Sequence, residues 1–222
     1  MIETDHAAVS PAAGSRVAEN HAPSWPSFGL ALAGYGLFGV GYIGYMAFLA
    51  ALLRNAGMSA AVVTGFYILL GAATVVLARL WSGLLDRMRG GQALAVLNGL
   101  LGLATLLPAV FTHPLVAFAS GVLFGAAFLS AVASTTAFVR HNLPASHWTR
   151  GISLFTIVFA FGQIFGPLAI GWVSDGAGLS RGLVYSTLLL VTGAVLAAFQ
   201  RPLLAQELWP IAASESTKAT TG

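Results

Sequence analysis

A chain of 222 residues that is 57% hydrophobic and 8% charged, with a mean hydropathy of +0.84, cannot coat a water-soluble body of its size, since soluble domains carry about a quarter of their residues as charges. The same figures exclude intrinsic disorder, and the absence of cysteine excludes a disulfide scaffold or a thiolate metal site. The net charge is only +3 and its basic residues are scattered, so the clustered footprint of a nucleic-acid binder is missing and an integral membrane protein is what remains.

Residues 1–27 are polar, with Glu3, Asp5, Arg16 and Glu19. They lack the basic start and short apolar core of a signal peptide, and the expectation is a disordered cytoplasmic tail or linker. A spanning helix needs about 20 mostly apolar residues. Six such stretches follow, at 28–53, 60–84, 92–111, 114–138, 151–173 and 182–200. Lipid leaves unpaired backbone groups without partners, so long apolar runs there must be helical, and the short alternating segments of a membrane barrel are missing. The predicted fold class is therefore all-α, an integral membrane six-helix bundle over 28–202, with 203–222 as a cytoplasmic C-terminal tail. An N-terminus inside the cell gathers Arg16, Arg79, Arg87, Arg89, Arg140, Arg150, Arg201 and Lys218 on the inner side, against Arg54 and Arg181 outside. That bias places both termini in the cytoplasm. The five tryptophans fall at or beyond span ends, as an aromatic belt requires.

The first span holds GYGLFGVGYIGYMAFLA from Gly34 to Ala50, in which Tyr35, Phe38, Tyr42 and Tyr45 share one helical face. Such a face either packs or lines a solute cavity, and Tyr42, Tyr45 and Tyr35 are the lining candidates. The second span runs out through LARLWSGLLDRMRGG, where Asp86 and Arg87 serve either as a membrane stop signal or as a gate. Asn98 in the third span and Gln163 in the fifth are buried amides that need a partner, which another helix, water or a solute can supply. Hydroxyls in the fourth span (Ser130, Ser134, Thr135, Thr136) can bond their own helix carbonyls. In the fifth span, FGQIFGPLAIGWVSD, Gly162 and Gly166 form a small-residue seam and Pro167 removes one backbone bond. Asp175 follows Asp86 by 89 residues. Because three helices is an odd number, a second triplet of this kind would be inserted upside down, which is the inverted repeat of transporter halves.

No acidic or basic residue lies deep in a span, and HExxH, a Walker loop and GxSxG are all missing. His141 and His147 point to different helical faces. No metal, no cofactor and no enzymatic activity are expected.

Taken together these segments resemble a known family. LWSGLLDRMRGG is similar to the loop motif of the major facilitator superfamily, a glycine, a leucine, Asp-Arg and then Gly-Arg, although Ser82 stands at one glycine position and Arg89 precedes Gly90. The Gly162–Gly171 segment resembles that superfamily's glycine-proline helix motif. GYGLFGVGYIG, ALAVLNGLLGLATLLPAV and FGQIFGPLAIGW look like its YbfB-like branch, over about residues 28–200. The resemblance implies half of a major facilitator fold, the C-terminal six helices with their 3+3 inverted repeat, and residues 1–27 would be the linker from a first half. It implies a secondary transporter of a small organic solute in the inner membrane, working by alternating access. The partners it implies are the lipid bilayer and a second half, as a homodimer or a separate N-terminal chain. Tyr42, Tyr45, Gln163, Tyr35 and Asn98 would line the solute path, Asp86 and Arg87 would gate, and Gly162, Gly166 and Pro167 would shape the moving helix. The rival expectation is a non-transporting remnant or membrane scaffold.

Overall fold

The computed structural model describes residues 25–111 and 113–203, with Trp25 and residues 174–177 described by backbone only. The tails expected over 1–27 and 203–222 therefore lie almost wholly outside the described residues. Among the described residues six helices are long and apolar enough to cross a membrane. They are α1 (Gly29–Asn55), α2 (Ala60–Leu77), α3 (Gln92–Val110), α4 (Pro114–Asn142), α5 (Trp148–Ala177) and α6 (Leu179–Ala198). The second span does not end with α2. It continues through a 3₁₀ turn (Ala78–Trp81) and a short helix (Ser82–Arg87). Among the described residues there is no strand. The fourth and fifth helices overrun the lengths expected from hydropathy, because charged residues such as Arg140 and Arg150 end an apolar run without ending a helix.

Local chemistry sets the connections. Gly57 (φ +84°) and Gly178 (φ +88°) adopt the left-handed conformation that glycine tolerates, and turn the chain between α1 and α2 and between α5 and α6. Ser59 caps α2 by accepting from the Val62 N–H at 3.4 Å. Pro114 opens α4, where a missing N–H is harmless, and His113 Nδ1 accepts from the Leu115 N–H.

Packing follows the glycines. On α1, a Cβ at Gly34 would sit 2.7 Å from the carbonyl oxygen of Gly193, so α1 and α6 cross with their backbones in contact. On the other side of α1, a Cβ at Gly39 would sit 3.0 Å from the Phe159 carbonyl of α5. The lipid tails are as apolar as the side chains, so close approach and dispersion contacts, not hydrophobicity, hold such helices together.

The pattern of contacts reproduces the repeat. α1 packs on α6 and α5; α4 packs on α3 and α2; and α3 packs on α6. Exchanging α1 with α4, α2 with α5 and α3 with α6 returns these main pairings, as two triplets related by inversion require, whereas α5 also touches α6 without a matching contact between α2 and α3. In consequence α2 and α5 are the outer members. Over its most apolar stretch only 17% of the second span and 22% of the fifth is buried, against 44–50% of the other four. These two spans carry the free faces.

One end of the bundle gathers the start of α1, the exit of the second span and the ends of α4 and α6. Two buried amides stitch it. Gln200 accepts the Ala31 N–H at 3.1 Å and donates to the Ser27 carbonyl at 2.9 Å. Asn142 donates to the Arg89 carbonyl at 2.7 Å and accepts from the Leu203 N–H at 2.7 Å. Gln200 thereby satisfies an N–H that the first turn of α1 leaves open, while Asn142 ties two connecting segments to the end of α4.

Candidate functional site

The exposed surface of α5 divides lengthwise. Thr149, Ser153, Thr156, Ala160, Gln163 and Pro167 are exposed and recur three or four residues apart, so they form one stripe of small and polar groups. The other exposed flank of the same helix carries Ile157, Phe161, Phe165, Leu168 and Trp172, all large and apolar, and exposed Ile164 stands between it and the polar stripe. Between the two flanks lies the buried edge of α5, where Gly162 and Gly166 meet α1. A Cβ on Gly162 would stand 2.8 Å from the Gly39 carbonyl carbon, and one on Gly166 would stand 3.0 Å from the Val40 carbonyl oxygen. A spanning helix with one large apolar flank and one small polar flank separates lipid from a place where water or a solute can sit.

Gln163, expected from sequence to be a buried amide, is exposed and lies at the border between the polar stripe and the buried edge, because α5 is an outer helix. Its Nε2 donates to the hydroxyl oxygen of Tyr42 on α1. Tyr42 is 6% exposed, and its ring lies 5.3–5.5 Å from the rings of Phe38, Phe128 and Phe159. This aromatic packing fixes the phenol, and the phenol fixes the amide. Pro167, four residues on, has no N–H to give to the Gln163 main-chain carbonyl. The locus thus combines a carboxamide, a phenolic hydroxyl and a backbone carbonyl that lacks its helical donor.

The other sequence candidates are placed elsewhere. Tyr35 is buried against Phe38, Phe155 and Phe159. Tyr45 is fully buried, stacks on Phe124 with ring centroids 4.0 Å apart, and bonds Ser120. Asn98 is fully buried where α1, α3 and α6 meet, donating to the Gly34 carbonyl at 3.2 Å. Asp86 and Arg87 are exposed on the short helix beyond the 3₁₀ turn, some distance along the chain from the α5 stripe. The side chain of Asp175 lies outside the described residues. Of the five lining candidates the structure therefore brings together Tyr42 and Gln163.

Sequence reasoning missed Thr149, Ser153 and Thr156 as members of the stripe. Their helical spacing with Gln163 was the available signal. Among the described residues no three His, Cys, Asp or Glu side chains gather as a metal cluster.

No curated protein matches the chain. A family model described as the uncharacterised MFS-type transporter YbfB matches residues 2–199. With six helices among its described residues long and apolar enough to cross a membrane, the chain is a multi-pass membrane protein that belongs to this family of major facilitator transporters.

Proposed function

We propose that this chain supplies one half of a secondary transporter that moves a small organic solute by alternating access. In this reading the polar flank of α5 faces the solute. Gln163 and Tyr42 make the direct hydrogen bonds, and the Gln163 carbonyl offers a further acceptor. A second six-helix unit, either another copy or a separate N-terminal half, covers the free faces of the second and fifth spans. The bundle sits in the inner membrane, and its arginine-rich end, with both termini, lies in the cytoplasm, as the positive-inside bias favours. Asp86 and Arg87 at that end gate it, and the Gly162–Gly166 seam lets α5 slide on α1.

The observation that carries this reading is the split of the exposed α5 surface into a small polar flank and a large apolar one. Uptake into membrane vesicles across a panel of radiolabelled small organic solutes tests it. Gln163→Ala and Thr156→Val are expected to abolish uptake of a solute that the parent chain carries, while Leu168→Ala leaves it unchanged. Unaltered uptake in Gln163→Ala would remove the site assignment.

A further inference from the structure

The second span is interrupted inside its apolar stretch, and the interruption is tied to a neighbouring helix. We propose that the 3₁₀ turn Ala78–Trp81 is a hinge, and that Trp81 together with Ser130 latches it to α4 and so positions the segment bearing Asp86 and Arg87.

A 3₁₀ turn replaces i→i−4 bonds with i→i−3 bonds of poorer geometry, and inside a helix it often marks a hinge. In lipid the disturbed carbonyls need other donors. Two of them have one here. Ser82 Oγ donates to the Arg79 carbonyl at 3.0 Å, and Ser130 Oγ reaches from α4 to the Ala78 carbonyl at 3.4 Å. One turn earlier Thr74 Oγ1 donates back to the Leu70 carbonyl at 2.9 Å, a bond that bends helices. The Trp81 indole N–H donates to the Ala126 carbonyl at 2.8 Å. Ala126 is near the middle of α4, so this indole points into the bundle and not toward the interfacial belt expected for it from sequence.

Packing changes across the turn. Before it, α2 buries Phe66, Leu70 and Ala73 against α4, close enough that a Cβ at Gly125 would stand 2.5 Å from the Leu70 carbonyl oxygen. From Ala78 to Arg87 no residue is buried. The buried contact of α2 with α4 thus gives way to a partly buried end, where Trp81 and Leu85 pack on the core and the two bonds from Trp81 and Ser130 reach α4. The repeat gives independent support. The 89-residue offset that relates Asp86 to Asp175 also relates Ala78 to Pro167, so α5, although it runs on as one helix, lacks a backbone bond at the register where the second span turns 3₁₀.

The hinge does not depend on the α5 solute site, and the two can fail separately. The test uses distances between spin labels on the full chain in lipid nanodiscs, since the sequence has no cysteine to label by accident. One pair, Gly83→Cys with Leu115→Cys, spans the turn; the other, Gly65→Cys with Leu115→Cys, stops short of it. Added side chains at Gly83 and Gly65 meet nothing within 4 Å, and Leu115 is 72% exposed. Trp81→Phe keeps the ring and removes the donor. It is expected to add a second population to the Gly83 pair and leave the Gly65 pair unmoved. Ser130→Ala is expected to do the same to a smaller extent. Trp148→Phe, whose indole donates to the Leu143 carbonyl at 2.9 Å, should move neither pair. The proposal is overturned if Trp81→Phe and Ser130→Ala leave the Gly83 pair unchanged, if both pairs shift together, or if Trp148→Phe reproduces the effect.

Discussion

The Ser120 hydroxyl stands in for the backbone N–H that Pro108 lacks. Pro108 lies inside α3 and cannot bond the Ala104 carbonyl; Ser120, on α4, donates to that oxygen at 2.8 Å. With its one proton committed there, Ser120 accepts from the Tyr45 hydroxyl. The three residues form a buried relay, and the fate of Tyr45 is decided by it.

The relay predicts non-additive stabilities. Ser120→Ala orphans a carbonyl and a phenol at once and is expected to cost about 1–3 kcal/mol. Adding Pro108→Ala returns an N–H to the Ala104 carbonyl, so the double variant should recover about 1 kcal/mol relative to simple addition. Steric-trap unfolding in bicelles measures both. Strict additivity would show that Ser120 and Pro108 act independently.

Glycines on α5 divide into two kinds. An alanine at Gly162 meets the α1 backbone at 2.8 Å and must push the helices apart, at a cost of about 1–3 kcal/mol. At Gly171 nothing lies within 4 Å, so alanine there is expected to be neutral or to stabilise by up to about 1 kcal/mol through helix propensity. Equal effects at the two positions in the same unfolding assay would contradict the α1–α5 seam.

The bond between Gln163 and Tyr42 predicts a separation of stability from transport. Interhelical hydrogen bonds in membranes average about 0.6 kcal/mol in double-mutant cycles, so Gln163→Ala with Tyr42→Phe should show a coupling of that order. Loss of uptake in Gln163→Ala should be far larger than such a stability change explains. If uptake falls only in proportion to the folded protein recovered, the pair is structural.

The six spans were legible because a run of apolar residues about one bilayer long is soluble almost nowhere but in lipid, and only as a helix there. The Gly162–Gly166 seam was legible for a similar reason, as a local pattern with one physical use. Helical periodicity put Tyr35, Phe38, Tyr42 and Tyr45 on one face without deciding whether it packs or lines a cavity, and the structure buries all four. Periodicity carried no information on which neighbour each would meet, and Tyr45 found Ser120 while Tyr42 found Gln163. The exposure of α2 and α5 depends on the pairing of helices distant in sequence, which hydropathy does not encode. LARLW, at the 3₁₀ turn, holds no glycine or proline to mark an interruption, and its stabilising partners, the Ser130 donor and the Ala126 acceptor, belong to another helix. Asn142 lies just past the fourth apolar run and Gln200 is the last residue of the sixth, where a window tuned to apolar runs gives no weight to a polar residue.

In the proposed transporter the polar flank of α5 faces water or solute while the opposite flank faces lipid. Single cysteines introduced into this cysteine-free chain at Thr156 and Gln163, and on the other flank at Phe161 and Leu168, test it in native membranes with a charged, membrane-impermeant maleimide. Labelling is expected at Thr156 and Gln163, and protection at Phe161 and Leu168. Equal labelling of both flanks, or labelling confined to Phe161 and Leu168, would contradict it.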